Sequence, residues 1–153
     1  MGNSISITRN INFEDMQFAL NNKGQSEYMR SEYIPSNKYL IINTLDAHLQ
    51  SCLISGTLNI ESEVEVLNAE LKKNKDIQII IYGMNSSDVS CAKKYDQLIK
   101  LGFYNTYIYG GGIFEWLLLQ DVYGAELFPT TTTKVDILKY KGRRQLNMRF
   151  LEN

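Results

Sequence analysis

The chain has 153 residues, 44% of them hydrophobic, and its 16 basic and 17 acidic residues leave a net charge of −1. That length suits one domain with its own core, and no apolar run approaches the roughly 20 residues of a membrane span. Two cysteines without metal-ligand spacing and a single histidine, His48, argue against a disulfide framework or a metal site, and the polar first residues carry no secretory signal, so a cytoplasmic location is expected.

In chain order, Met1-Gly2-Asn3-Ser4-Ile5-Ser6 fits the pattern for N-myristoylation at Gly2, with Ser6 in the required place. The pattern needs a eukaryotic or host-cell setting, and its alternative is an ordinary terminal segment. Residues 1–12 are read as this N-terminal segment. Asn12 then predicts a helix cap with Asp15 at the third helical position, and Phe13, Met16 and Leu20 share one face. Asn21 to Gly24 is expected to end that helix, and residues 24–37 to form a surface loop whose Tyr28 and Tyr33 pack on the body. Tyr39 to Ile42 reads as a central strand, with Asn43 to His48 at its C-terminal end, where α/β proteins place sites. Ser55-Gly56-Thr57 is a turn between short extended pieces. A helix is predicted from Ser62, with Val64, Leu67 and Leu71 as its buried stripe and Lys72, Lys73 and Lys75 near its C-terminus.

The chain is organised around Ile77 to Trp116. A β-branched and aromatic run, Ile77 to Tyr82, predicts a buried strand. The polar loop Gly83-Met84-Asn85-Ser86-Ser87-Asp88 follows, with Ser86 and Ser87 placed to cap the next helix. That helix carries Val89, Ala92, Tyr95 and Ile99 on one face and ends at Gly102. A second strand, Thr106 to Tyr109, leads into Gly110-Gly111-Gly112. This is not a phosphate loop, because no Lys-Ser/Thr follows. Ile113 to Leu119 is apolar nearly all round and predicts a short helix buried on several sides. Strands alternating with helices at these spacings imply an α/β fold with a mainly parallel central sheet and helices on both faces.

Residues 13–129 form the expected domain, and 130–153 a basic C-terminal extension. From residue 134 on, six basic residues, among them Lys139, Lys141, Arg143, Arg144 and Arg149, stand against two acidic ones. Such a tail on an acidic body suggests an acidic partner or an anionic surface; the alternative is a solvated terminal segment.

Four pieces within residues 37–129 resemble the rhodanese-like domain family. Tyr39 to Leu45 resembles the strand ending in the family's Asp-Val-Arg, and Ile54 to Ile60 its Ile-Pro-Gly-Ala-x-Asn-Ile segment. Ile79 to Tyr82 resembles the strand that leads into the active-site loop. Leu98-x-x-x-Gly102-Phe103 with Gly111-Gly112-x-x-x-Trp116 resembles the closing motifs, the most specific of the four. The segment Gly112 to Asp121, with Tyr123-Gly124 and Phe128-Pro129-Thr130-Thr131, also resembles divergent, cysteine-less members from protists and large DNA viruses, and the richness in Asn, Ile, Lys and Tyr suits an AT-rich genome.

The resemblance implies a rhodanese-like fold, and in its active members a cysteine opening the loop, which takes up sulfane sulfur in a positive cradle. Here the matching position is Gly83, or Tyr82 if the loop is one shorter, and neither has a thiol. Asp88 stands where cations commonly help the anion, and Asn43 and Leu45 replace the acidic and basic residues of Asp-Val-Arg. The implied function is therefore a catalytically degenerate domain serving as a binding, scaffold or structural module. Its expected partner is a protein, and Gly2 with the basic tail would give membrane or virion association. The alternative is a sulfurtransferase or phosphatase-like enzyme that uses a displaced cysteine, Cys91, which otherwise reads as a small packing residue of the helix. No catalytic residue, metal, cofactor or nucleic-acid partner is expected.

Overall fold

The computed structural model describes residues 8–28, 39–133 and 136–146. Four parallel strands, β1 (Asn10–Ile11), β2 (Tyr39–Asn43), β3 (Gln78–Tyr82) and β4 (Thr106–Tyr109), form one sheet in the order β1-β4-β3-β2. Successive residues of a strand point to opposite faces, and here both faces are covered. Ile80 and Tyr82 meet α1 (Phe13–Tyr28) and α4 (Gly112–Tyr123), while Ile79 and Ile81 meet α2 (Ile60–Lys73) and α3 (Ser90–Leu101). This is the expected α/β architecture, with two cores separated by one sheet.

Local details depart from the sequence reading. Strand β2 is not central: among the described residues it lies at the sheet edge, with only an isolated bridge from Ile41 to Thr57 beyond it. Its apolar run reflects cover on both faces, since Ile41 and Ile42 enter different cores. Asn12 and Asp15 do form a reciprocal cap at 3.0 and 3.2 Å. The helix they open continues to Tyr28, past Gly24 and into the segment expected as loop. A lone glycine costs a helix only about 1 kcal/mol and need not stop it. Tyr33 lies outside the described residues, as does the side chain of Tyr28.

Helix α2 starts two residues before Ser62, at Ile60, with Asn59 Oδ1 accepting from Glu61 N. Val64 is exposed, and Glu63 turns inward instead to form a salt bridge with Lys94 of α3. Helix α3 buries Cys91, Tyr95 and Leu98, whereas Val89, Ala92 and Ile99 are exposed. Both stripes share Tyr95 and both are apolar, so periodicity alone does not separate them. Gly102 ends the helix at φ 111°, a left-handed conformation that favours glycine, and Phe103 N donates to Leu98 O. Helix α4 buries Ile113, Trp116 and Leu117 but leaves Leu118 and Val122 exposed, so its apolar surface is covered on one side only.

Both ends of the described chain join the body. Asn10 and Ile11, within the N-terminal segment, pair with Ile108 and Tyr109. In the extension, Thr131 N donates to Leu53 O at 2.8 Å, and a short 3-10 helix, Ile137–Tyr140, then buries Tyr140 completely in the α1/α4 core.

Candidate functional site

The loop of residues 83–89 leaves the C-terminal end of β3 beside Thr44 to Asp46, which leave the end of β2. Parallel α/β sheets place ligands at such ends. The loop is held by its own side chains. Asp88 Oδ2 accepts from Met84 N at 2.8 Å, and Asp88 Oδ1 accepts from Ser90 N at 2.9 Å and from Ser90 Oγ at 2.6 Å. Asn85 Oδ1 accepts from Ser87 N at 2.9 Å, and Asn85 O from Asp88 N at 3.1 Å. Burial pushes the Asp88 pKa up, but the three hydrogen bonds to the carboxylate outweigh it and hold the group below its ordinary value. Neither Ser86 nor Ser87 caps α3: its cap position is Val89, with no side-chain cap bond, and Asp88 Oδ1 takes the N–H of the first helical residue, Ser90.

Gly83 sits directly beneath this carboxylate. A Cβ at that position would lie 2.5 Å from Asp88 Oδ2 and 2.9 Å from Cys91 Sγ. The space that a side chain at 83 would need is filled from within the loop. The loop is also clamped from behind, where Gly83 O accepts from Ile113 N and Met84 O from Phe114 N, both at 2.9 Å. Gly112 makes this approach possible. It has φ 70°, and a Cβ on it would come within 2.7 Å of Gly83 O and 2.8 Å of Met84 C.

Cys91 lies under the loop, 6% exposed. Its Sγ is 3.7 Å from Thr44 Oγ1, and burial with the nearby Asp88 charge pushes the thiol up to about 11. A nucleophilic cysteine needs the opposite environment, exposed and electropositive. Cys52 is buried too, and His48 is exposed on a separate 3-10 turn, Ala47–Leu49. No group of three or more His, Cys, Asp or Glu that could hold a metal occurs among the described residues.

Two features escaped the sequence reading. At the end of β2, Asn43 is buried and its amide exchanges hydrogen bonds with Gln50 at 2.7 and 3.1 Å, a neutral pair. Second, the extension crosses the loop as a strap. Asn85 Nδ2 donates to Tyr140 O at 2.8 Å, and Lys139, Lys141 and Arg143 line an open cleft of about 590 Å³ above the loop. The cations absent from the loop itself thus arrive from some 50 residues away, a proximity that no local pattern signals. Arg144 is exposed and does not line the cleft; Gly2 and Arg149 lie outside the described residues.

No curated protein matches the chain significantly. Among solved structures, a Bacillus halodurans protein aligns over 76% of this chain and 74% of its own, at 17% identity and a TM-score of 0.53. A full-length protein from Lactobacillus plantarum aligns over 80% and 87%, at 13% identity and a TM-score of 0.53. A rhodanese-like domain from Anabaena sp. aligns over 60% and 97%, at 21% identity and a TM-score of 0.43. The first two likenesses concern the fold. In sequence, the profile described as Rhodanese-like domain matches residues 13–119, from the start of α1 to within α4, and by that match the chain belongs to the rhodanese-like domain family.

Proposed function

We propose that this is a catalytically degenerate rhodanese-like domain that acts as a binding or scaffold module for a protein partner, of the divergent, cysteine-less kind found in protists and large DNA viruses. The observation that carries the reading is the Asp88 carboxylate. It fills the space above Gly83 and takes up N–H groups of the loop, where catalysis would need a thiolate and free donors for an anionic sulfur donor. We expect no transfer of sulfur from thiosulfate to cyanide above background and no persulfide in the mass spectrum after incubation with thiosulfate. Gly83→Cys should remain inactive, because the new side chain meets the Asp88 carboxylate, whose charge disfavours a thiolate. Robust turnover of the unmodified protein, lost in Cys91→Ser, would refute this and select the displaced-cysteine sulfurtransferase or phosphatase-like enzyme.

The same proposal extends to location. No helix among the described residues is long and apolar enough to cross a membrane, so attachment would come from a lipid on Gly2. One myristoyl chain binds membranes only marginally, at about 10⁴ per molar, and basic residues near an anionic leaflet add about 1 kcal/mol each. We expect protein made in eukaryotic cells to float with anionic liposomes, Gly2→Ala to abolish flotation, and neutralising Arg143 and Arg144 to weaken it and flatten its salt dependence. An unmodified Gly2 in the mass spectrum would end the tether proposal.

A further inference from the structure

We infer that the cleft between the loop and the C-terminal strap is a binding site for a small phosphomonoester carried on an apolar body. The inference rests on the binding-module reading above and adds a small-molecule ligand to the protein partner proposed there.

Three observations converge on it. First, Lys139, Lys141 and Arg143 all line the cleft, and none of them pairs with a carboxylate among the described residues, where Lys94–Glu63 is the one salt bridge. Second, the strap that carries them is fixed against the loop. Tyr140 is fully buried, Asn85 holds its carbonyl, and a Cβ placed on Gly142 would lie 3.5 Å from Ser87 Oγ and 3.6 Å from Asn85 Oδ1. Lys139 and Lys141 therefore flank an anchored residue, which lowers the ordering cost of gripping a ligand. Third, apolar side chains of Leu45, Leu49, Met84 and Val89 line the same cleft and offer a seat for a ligand body.

The charge pattern orients the ligand. The loop's hydrogen-bonded N–H groups are already taken by Asp88 and Asn85, so an incoming anion must be held by strap side chains. An arginine fork with two lysine point charges suits a phosphate, and a dianion gains about twice the Coulomb attraction of a monoanion from the same cations. Asp46 and Asp88 also line the cleft and oppose binding, so the three strap cations hold a bound anion against two carboxylates. The cleft volume lies within the range of small-molecule sites.

The test is a titration of the full-length, ¹⁵N-labelled protein with phenyl phosphate, followed by amide shifts. The expected result is saturable shifts of Asn85, Ser87 and residues 141–145, weaker binding of inorganic phosphate, and no shift with phenol. Lys141→Gln and Arg143→Gln should each weaken binding about tenfold or more, as loss of a charged hydrogen-bond partner does, and Asp46→Asn should strengthen it. All three changes are at exposed positions and leave the core intact. The proposal is overturned if phenyl phosphate gives no saturable shift, if phenol shifts the same amides, or if the lysine and arginine variants bind unchanged. Binding to phosphatidylserine vesicles without any response to phenyl phosphate also overturns it and gives the cations to a membrane surface. Release of inorganic phosphate from phenyl phosphate on saturation supports the site but refutes the degenerate reading, so the two failures are distinguishable.

Discussion

Trp116→Ala is expected to destabilise the protein by about 3–5 kcal/mol, as truncation of a large buried aromatic does. The side chain is fully buried between two edge-on rings, Tyr109 at 5.9 Å and Phe128 at 5.0 Å between centroids. Its indole N–H donates to Pro129 O at 3.1 Å, so the mutation also removes a hydrogen bond that ties α4 to the segment beyond it. Alanine leaves a void that a core built from sheet, two helices and the strap residue Tyr140 cannot fill by small shifts. Thermal or denaturant unfolding measures the loss. A variant that melts with the parent would mean that Trp116 is a surface residue, free to contact a partner.

Gly112→Ala is expected to cost roughly 2–5 kcal/mol, the sum of a left-handed backbone at an alanine and an overpacked contact. The new methyl would meet Gly83 O, Met84 C and Asn85 N, all closer than 3.0 Å and all backbone. No side chain can rotate away, so the loop must move off the start of α4 and lose the bonds from Ile113 N and Phe114 N. Unfolding measurements again read the cost, and amide shifts over residues 83–90 should report the displaced loop. Unchanged stability and loop shifts would show that the loop does not rest on α4 as described.

The fold and the site were legible to different depths. Buried strands announce themselves: Ile79-Ile80-Ile81-Tyr82 reads as a strand covered on both faces, and the glycines at 102 and 112 stand where the backbone turns left-handed. The phase of α3 was not legible, because two apolar stripes overlap at Tyr95 and only packing against Ile79 and Ile81 chooses between them. The role of Asp88 was half legible. Its charge marked the loop as unsuited to an anionic sulfur donor, but the turn of its carboxylate inward onto Met84 N is a tertiary outcome. Long-range neighbours were silent. Tyr140 reads as one aromatic in a basic tail, and Gln50 as one polar residue in a turn, until folding sets the carbonyl of the first on Asn85 and the amide of the second against Asn43.

The inward turn of Asp88 also sets the terms of competition at the loop. A carboxylate carried on the same short segment as the N–H groups it occupies is present at an effective concentration in at least the millimolar range, fixed by tether length and independent of anything in solution. A diffusing oxyanion must outbid that tethered group at every encounter, and it pays association entropy that Asp88 does not. The loop thus behaves as a receptor already occupied by its own chain, and a sulfur-bearing anion of equal intrinsic affinity displaces that chain only at concentrations above the tethered group's effective one.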